Sequence, residues 1–299
     1  MLHAGEGYVA VDGGRGWYQI VGEGEVTPLL CLHGGPGMCH DYLETLADLS
    51  DERPVVFYDQ LGCGNSERPN DPSLWITDRF VGAVGATHAS PLLRRNLGLE
   101  KVHILGQSWG SMLLLDYVLN KPVGIASIIL ASPCTSIPMW LEDTNRLRKQ
   151  LPIQIQEVLD RHEAAGTTVS AEYQTATLEY YKRHLCRLNP WPIFMERTMA
   201  KTGFPVYNAM WGPSEFNMMG GNLRYYDRTQ RLPEISLPAL WTCGRFDEAQ
   251  PETVAYYQSL LPGSRLVVFE ESSHTAHLEE RERYMQVVRD FLRRVEGTP

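Results

Sequence analysis

The stretch Val102-His103-Ile104-Leu105-Gly106-Gln107-Ser108-Trp109-Gly110-Ser111-Met112-Leu113-Leu114-Leu115 joins two apolar runs through a short polar turn. The run at 102–105 has the length of a buried strand, and residues 111–119 are helix-capable. The pentapeptide Gly106-Gln107-Ser108-Trp109-Gly110 therefore falls at a strand-to-helix turn, the context that the G-x-S-x-G pattern requires. A serine at such a turn sits on a sharp, strained backbone. Glycines on either side remove the Cβ atoms that would collide there. The helix that starts next also favours negative charge developing beside the serine. Ser108 is thus a candidate nucleophile.

Outward from this turn, apolar runs recur at 29–32, 55–58 and 125–130. They are continuous rather than alternating, as expected of strands buried on both faces of a parallel sheet. Helix-capable segments lie between them, at 42–49 and 111–119, so the fold class is α/β with helices flanking a mostly parallel sheet. Near the start, residues 8–11 and 17–20 flank Asp12-Gly13-Gly14 and predict a hairpin. From about 134 to 231 amphipathic helical stretches dominate, at 140–151, 153–165 and 171–188. Asn189-Pro190-Trp191-Pro192 and Trp211-Gly212-Pro213 break them. The α/β pattern then returns, with strands expected at 239–243 and 266–269 and a closing helix at 280–295. The expected layout is a core of residues 1–133 and 232–299, split by a helical cap at 134–231 between the sixth and seventh strands.

A serine hydroxyl is a weak nucleophile and needs a base held by a third group. In the α/β-hydrolase fold, where this motif belongs, the chain order is Ser, then Asp or Glu, then His. The returning core supplies Asp247 and His274, each just after the C-terminal end of an expected strand. Glu248 competes with Asp247, and His277 with His274. Asp247 comes first after its strand and His274 lies within the loop itself, so these two are preferred. The loop His33-Gly34-Gly35-Pro36-Gly37 follows the run at 29–32 and makes the Gly35 amide an oxyanion donor, with the Trp109 amide as the second. Asp59-Gln60-Leu61-Gly62-Cys63-Gly64-Asn65-Ser66 reads as a scaffolding turn packed against that loop. Cys63 has no histidine beside it in sequence and is read as a packing residue.

The 299 residues carry a formal charge of −9, which opposes a phosphate-binding surface and excludes a nucleic-acid partner. The six cysteines are scattered, with no CxxC pair and no zinc spacing, so reduced thiols are expected. Residues 1–11 show no signal-peptide pattern, and no apolar run approaches the ~18 residues of a membrane span. A soluble, cytoplasmic protein without metal or organic cofactor is expected; the oligomeric state is left open.

Taken together, His33-Gly34-Gly35-Pro36-Gly37, Asp59-Gln60-Leu61-Gly62-Cys63-Gly64, Gly106-Gln107-Ser108-Trp109-Gly110 and Gly244-Arg245-Phe246-Asp247-Glu248 resemble the proline iminopeptidase (prolyl aminopeptidase) family of α/β hydrolases. Order and spacing match from about residue 8 to 292. The resemblance implies a serine aminopeptidase acting on small peptides or amino-acid amides. It also implies carboxylates that bind the substrate's free α-amino group. Trp211-Gly212-Pro213-Ser214-Glu215-Phe216 gives that role to Glu215, and Glu248 supplies a second carboxylate. The aromatics Trp140, Trp191, Trp211 and Tyr207 are candidates for an apolar pocket around a proline ring. An amino-acid amidase or a small-acyl carboxylesterase would use the same triad. Enzymes of this fold with aspartate at the elbow are disfavoured by Ser108. One segment departs from the family: residues 82–91 hold two glycines and Pro91, which should interrupt a helix there.

Overall fold

Eight strands form one sheet: β1 (Gly5–Val11), β2 (Gly14–Val21), β3 (Leu29–Leu32), β4 (Val55–Tyr58), β5 (Val102–Gln107), β6 (Ile125–Ala131), β7 (Ala239–Gly244) and β8 (Arg265–Phe269). Their order across the sheet is β1-β2-β4-β3-β5-β6-β7-β8. The first two strands are an antiparallel hairpin, and β2 pairs antiparallel with β4. From β4 onward every pairing is parallel. The computed structural model describes residues 1–85 and 92–297. The hairpin is longer than residues 8–11 and 17–20, because the turn is closed at Val11↔Gly14 by Asp12 and Gly13 alone. Gly13 has φ 95°, a region open to glycine.

The helices in chain order are α1 (Thr77–Val84), α2 (Leu92–Asn96), α3 (Trp109–Leu119), α4 (Ile137–Arg148), α5 (Ile153–Ala165), α6 (Ala171–His184), α7 (Ile193–Lys201), α8 (Phe204–Met210), α9 (Pro251–Ser259), α10 (Ala276–Glu279) and α11 (Arg281–Glu296). Helices α4 to α8 all lie between β6 and β7. The segment His40–Asp51 is wound in 3₁₀ turns rather than as the α-helix expected at 42–49. Helix α6 stops at His184 rather than 188. Helix α1 ends against Gly85, whose φ of 128° suits glycine, and the chain is helical again from residue 92. The rest of the departing segment, 86–91, lies outside the described residues.

Every residue of β3, β4, β5 and β7 is buried, which is why their sequences do not alternate. The two-residue period survives in what each side chain touches. Leu30, Leu32, Val56, Tyr58 and Ile104 join α1, α3 and α9 in one apolar cluster. Leu29, Cys31, Val55, Phe57 and Leu105 join the 40–51 segment and α11 in another. Covered on both faces, the sheet offers its strand ends. The loops after β3, β5, β7 and β8 carry His33, Ser108, Asp247 and His274 in turn, all at the C-terminal edge. No helix among the described residues is long and apolar enough to cross a membrane.

Candidate active site

Ser108 has φ 55° and ψ −123°, a conformation that non-glycine residues avoid. The structure around it leaves little alternative. Its N–H donates to the Ala131 carbonyl at 2.9 Å, and its carbonyl accepts from the Ser111 amide at 2.8 Å. A Cβ on Gly106 would strike the Gly110 carbonyl, and one on Gly110 would strike the Leu32 carbonyl. The flanking glycines are therefore required by contact with the next turn and with β3. Helix α3 starts at Trp109, so the Trp109 amide lies in its unpaired first turn.

Asp247 and His274 meet because β7 and β8 are adjacent and end together, at Gly244↔Phe269. His274 Nδ1 lies 2.7 Å from Asp247 Oδ1. The carboxylate is fixed further by the Ala249 amide at 2.8 Å and the Gly244 amide at 3.2 Å. Nδ1 therefore carries the proton it donates to Asp247, leaving Nε2 as an acceptor in the pocket shared with Ser108. The imidazole backbone is held too. Its carbonyl accepts from Gln107 Nε2 at 3.1 Å and Ser132 Oγ at 3.0 Å, and its N–H donates to the His184 carbonyl at 3.2 Å.

The rivals lie elsewhere. His277 donates from Nε2 to the Tyr42 carbonyl at 2.9 Å and packs between Tyr42 and Tyr284. Burial pushes its pKa down to about 4, so it is a neutral core histidine. Glu248 approaches the other ring nitrogen, with Oε1 3.8 Å from His274 Nε2.

The glycine loop after β3 is tied to the elbow by side chains that local sequence patterns do not reveal. The Gly34 amide donates to Tyr42 OH at 2.7 Å, and that hydroxyl donates to Gln107 Oε1 at 2.5 Å. Gln60 is a second bridge: its Oε1 accepts from Trp109 Nε1 at 2.8 Å and its Nε2 donates to the His33 carbonyl at 3.0 Å. The Gln60 amide donates to His33 Nε2 at 3.0 Å, so His33 Nδ1 donates to the Gly34 carbonyl at 2.9 Å. Gly35, with φ 115°, lines the Ser108 pocket. Neither the Gly35 nor the Trp109 amide has a hydrogen-bond acceptor among the described residues. Cys63 proves to have a histidine beside it after all, with Sγ 3.6 Å from His33 Nε2. That nitrogen already accepts from Gln60, and burial pushes the Cys63 thiol well up, so it remains a packing residue.

Two carboxylates face the same pocket. Glu215 Oε1 accepts from Tyr207 OH at 2.6 Å, and its carbonyl accepts from Trp140 Nε1 at 3.0 Å. Trp140 also sets its ring edge-on to His274, with centroids 5.8 Å apart. Glu248 is buried, and neither of its oxygens has a hydrogen-bond partner among the described residues. Burial raises Glu215 to about 7, against the lowering effect of the Tyr207 hydroxyl. Glu248 is raised well above the usual range by burial first, then by the charges of Glu215 and Asp247, with the nearby Tyr180 hydroxyl, itself unpaired, acting the other way. Away from this pocket, His40, Asp41 and Glu44 are close enough to share an ion. Lys201 and Arg197 already neutralise Asp41, and His40 is bonded to Asp59 at 2.8 Å.

Residues 27–281 match the alpha/beta hydrolase fold family. The chain is 46% identical over 289 residues to a proline iminopeptidase of Heyndrickxia coagulans, covering 96% of this chain and 98% of that one. This chain belongs to the proline iminopeptidase family of α/β hydrolases. The proline iminopeptidase structure from Mycobacterium smegmatis superposes with a TM-score of 0.86 at 36% identity, over 97% of this chain and 98% of that one. The structure of VinJ superposes with a TM-score of 0.92 at 37% identity, over 97% and 99%. In this proline iminopeptidase family member, sequence motifs point to Ser108, Asp247 and His274. Gln107 lies inside the G-x-S-x-G turn and Trp140 is among the candidate pocket aromatics, but nothing in the sequence marks the bonds by which these two and Tyr42 lock the loops together.

Proposed function

We propose that this protein is a serine aminopeptidase that releases an N-terminal residue, proline favoured, from small peptides or amides. The observation that carries this reading is the bare carboxylate of Glu248. It is buried, unpaired and 3.8 Å from His274 Nε2, in a pocket it shares with Glu215. Burying the Glu248 carboxylate without a partner, beside a second carboxylate held only by the Tyr207 hydroxyl, is costly unless a ligand supplies positive charge. A free α-amine is that ligand, and an N-blocked substrate would leave the carboxylates unpaired.

In the proposed reaction His274 takes the proton of Ser108, and Oγ attacks the carbonyl carbon of the N-terminal residue. The Gly35 and Trp109 amides stabilise the oxyanion. His274, oriented by Asp247, passes the proton to the leaving nitrogen as the C–N bond breaks. Water, activated by the same base, then hydrolyses the acyl-enzyme. Residues 134–231 act in this proposal as a cap over a core of 1–133 and 232–299, contributing Glu215 to the site. A cytoplasmic setting fits six cysteines that are all free and buried.

The test compares initial rates on proline p-nitroanilide, its N-acetylated counterpart and p-nitrophenyl butyrate. A large preference for the free-amine anilide is expected. Turnover of the butyrate ester with no free-amine preference would instead leave a small-acyl esterase and remove the amine-binding roles of Glu215 and Glu248.

A further inference from the structure

A cavity of about 720 Å³ opens among the helices between β6 and β7. Its volume lies in the range that buries most of a drug-sized ligand. It shares Met38, Leu185 and Glu215 with the Ser108 pocket, so the two adjoin. Val169, Phe204 and Met219 line it while 88%, 53% and 68% exposed. Large apolar side chains grouped around one opening mark a surface that an apolar ligand covers. The one acidic group added by this cavity is Glu163, and both of its oxygens are held by Arg148, at 2.9 and 3.2 Å. The cavity therefore presents no unpaired charge of its own beyond Glu215.

The Ser108 pocket is bounded elsewhere by the buried side chains of Gln107, Glu248 and Thr275. That pocket has room for little more than the reacting atoms, about 10 Å³, so the substrate extends into the adjoining cavity, whose 720 Å³ far exceeds what one proline ring held at Glu215 requires. The space left over falls to the substrate beyond the scissile bond. We propose that this cavity is the leaving-group site, and that it selects neutral, bulky, apolar amines or peptide tails joined to the N-terminal residue. This rests on the aminopeptidase reading above. As Ser108 Oγ bonds to the carbonyl carbon and the C–N bond breaks, the leaving nitrogen takes the proton that His274 removed from Ser108. The neutral amine then departs through the cavity. Selection acts on acylation, because the acyl-enzyme left behind is the same for every leaving group.

The test uses two substrate series on the wild-type protein and on Met219→Asp. L-prolyl n-alkylamides from propyl to decyl lengthen only the leaving amine. Acetate esters of the matching alcohols lengthen only the leaving alcohol and need no free amine. The expected result is a kcat/KM that climbs with chain length, by up to about fourfold per buried methylene, and a shallower climb in Met219→Asp. A flat response in every series that is turned over overturns the cavity assignment, and prolyl amides turned over without a length effect leave the aminopeptidase reading standing. A climb unaffected by Met219→Asp overturns it as well. A climb in the acetates with inert prolyl amides supports the cavity and overturns the amine reading. No turnover in either series overturns both.

Discussion

Gln107, the residue before Ser108, donates from its side chain to the backbone carbonyl of His274 at 3.1 Å. Its other side-chain atom accepts from Tyr42, whose hydroxyl in turn holds the Gly34 amide. One side chain thus ties together the loops that carry Ser108, His274 and Gly34. Gln107→Leu should lower kcat by about tenfold to a hundredfold while KM changes by less than about twofold, because misplacement of reacting groups acts on the chemical step. It should also cost about 1–3 kcal/mol of stability through the unpaired Tyr42 hydroxyl. Steady-state kinetics with a urea melt check both, and an unchanged kcat would remove Gln107 from any positioning role.

The two histidines of the 274–277 turn should respond in opposite ways. His274→Ala should lower kcat by about 10⁴–10⁶, the scale of losing a triad base, and should abolish fluorophosphonate labelling of Ser108. His277→Gln should keep turnover within about tenfold and lose about 1–3 kcal/mol of stability, since it gives up a buried bond to the Tyr42 carbonyl. Inactive His277→Gln with active His274→Ala would reverse the assignment.

In the proposed reaction the adjacent acids Asp247 and Glu248 divide chemistry from recognition. Asp247→Asn should reduce kcat about 10⁴-fold on every substrate, because the imidazole loses its orienting partner. Glu248→Gln should retain turnover of p-nitrophenyl butyrate but raise KM for proline p-nitroanilide by at least tenfold, on the order of a lost buried charge pair. Equal losses on ester and anilide in Glu248→Gln would place it in the chemistry instead.

Burial holds Glu215 at about 7, above its ordinary carboxylate value, with Tyr207, Glu248 and His274 as its polar neighbours. Between the ordinary value and about 7 the folded chain binds the proton more tightly than the unfolded chain. This group's contribution to stability therefore falls as pH rises through that window. Glu215→Gln, neutral throughout, should be more stable relative to wild type at pH 8 than at pH 5 in thermal melts. For the free-amine anilide, KM should rise as pH drops below about 7, because the protonated carboxyl no longer pairs with the amine. A pH-independent difference between the two melts would contradict the raised value.

The strands and the nucleophile turn were legible because burial on both faces leaves an unbroken apolar run, and because Gly106 and Gly110 are forced by backbone contact. The pairing of Asp247 with His274 was legible from chain order. Choosing His274 over His277 rested on loop position, and the physical reason appears only in three dimensions, where Tyr42 and Tyr284 enclose His277. Glu215 came from resemblance, since nothing local distinguishes it from a solvated loop carboxylate. The bond between Tyr42 and Gln107 spans 65 residues and leaves no periodic trace. The 40–51 segment followed helical periodicity closely enough to suggest an α-helix, yet it is wound in 3₁₀ turns where it packs against β4, α7 and α11. Cys63 illustrates the same limit, because His33 reaches it from another loop.

Ser108, Asp247 and His274 hang from β5, β7 and β8, whereas Tyr207, Glu215 and most of the large cavity belong to the helices and turns between β6 and β7. Those helices leave the sheet after one strand and return before the next, so their length and sequence can drift without altering strand register. The bond from Trp140 to the Glu215 carbonyl lies wholly within them, while the edge contact of Trp140 with His274, the His184 carbonyl that accepts from the His274 amide and the Lys201–Asp41 ion pair are among the joints to the rest of the chain. A lineage carrying this fold can therefore exchange its diet while keeping its teeth, provided those joints are preserved.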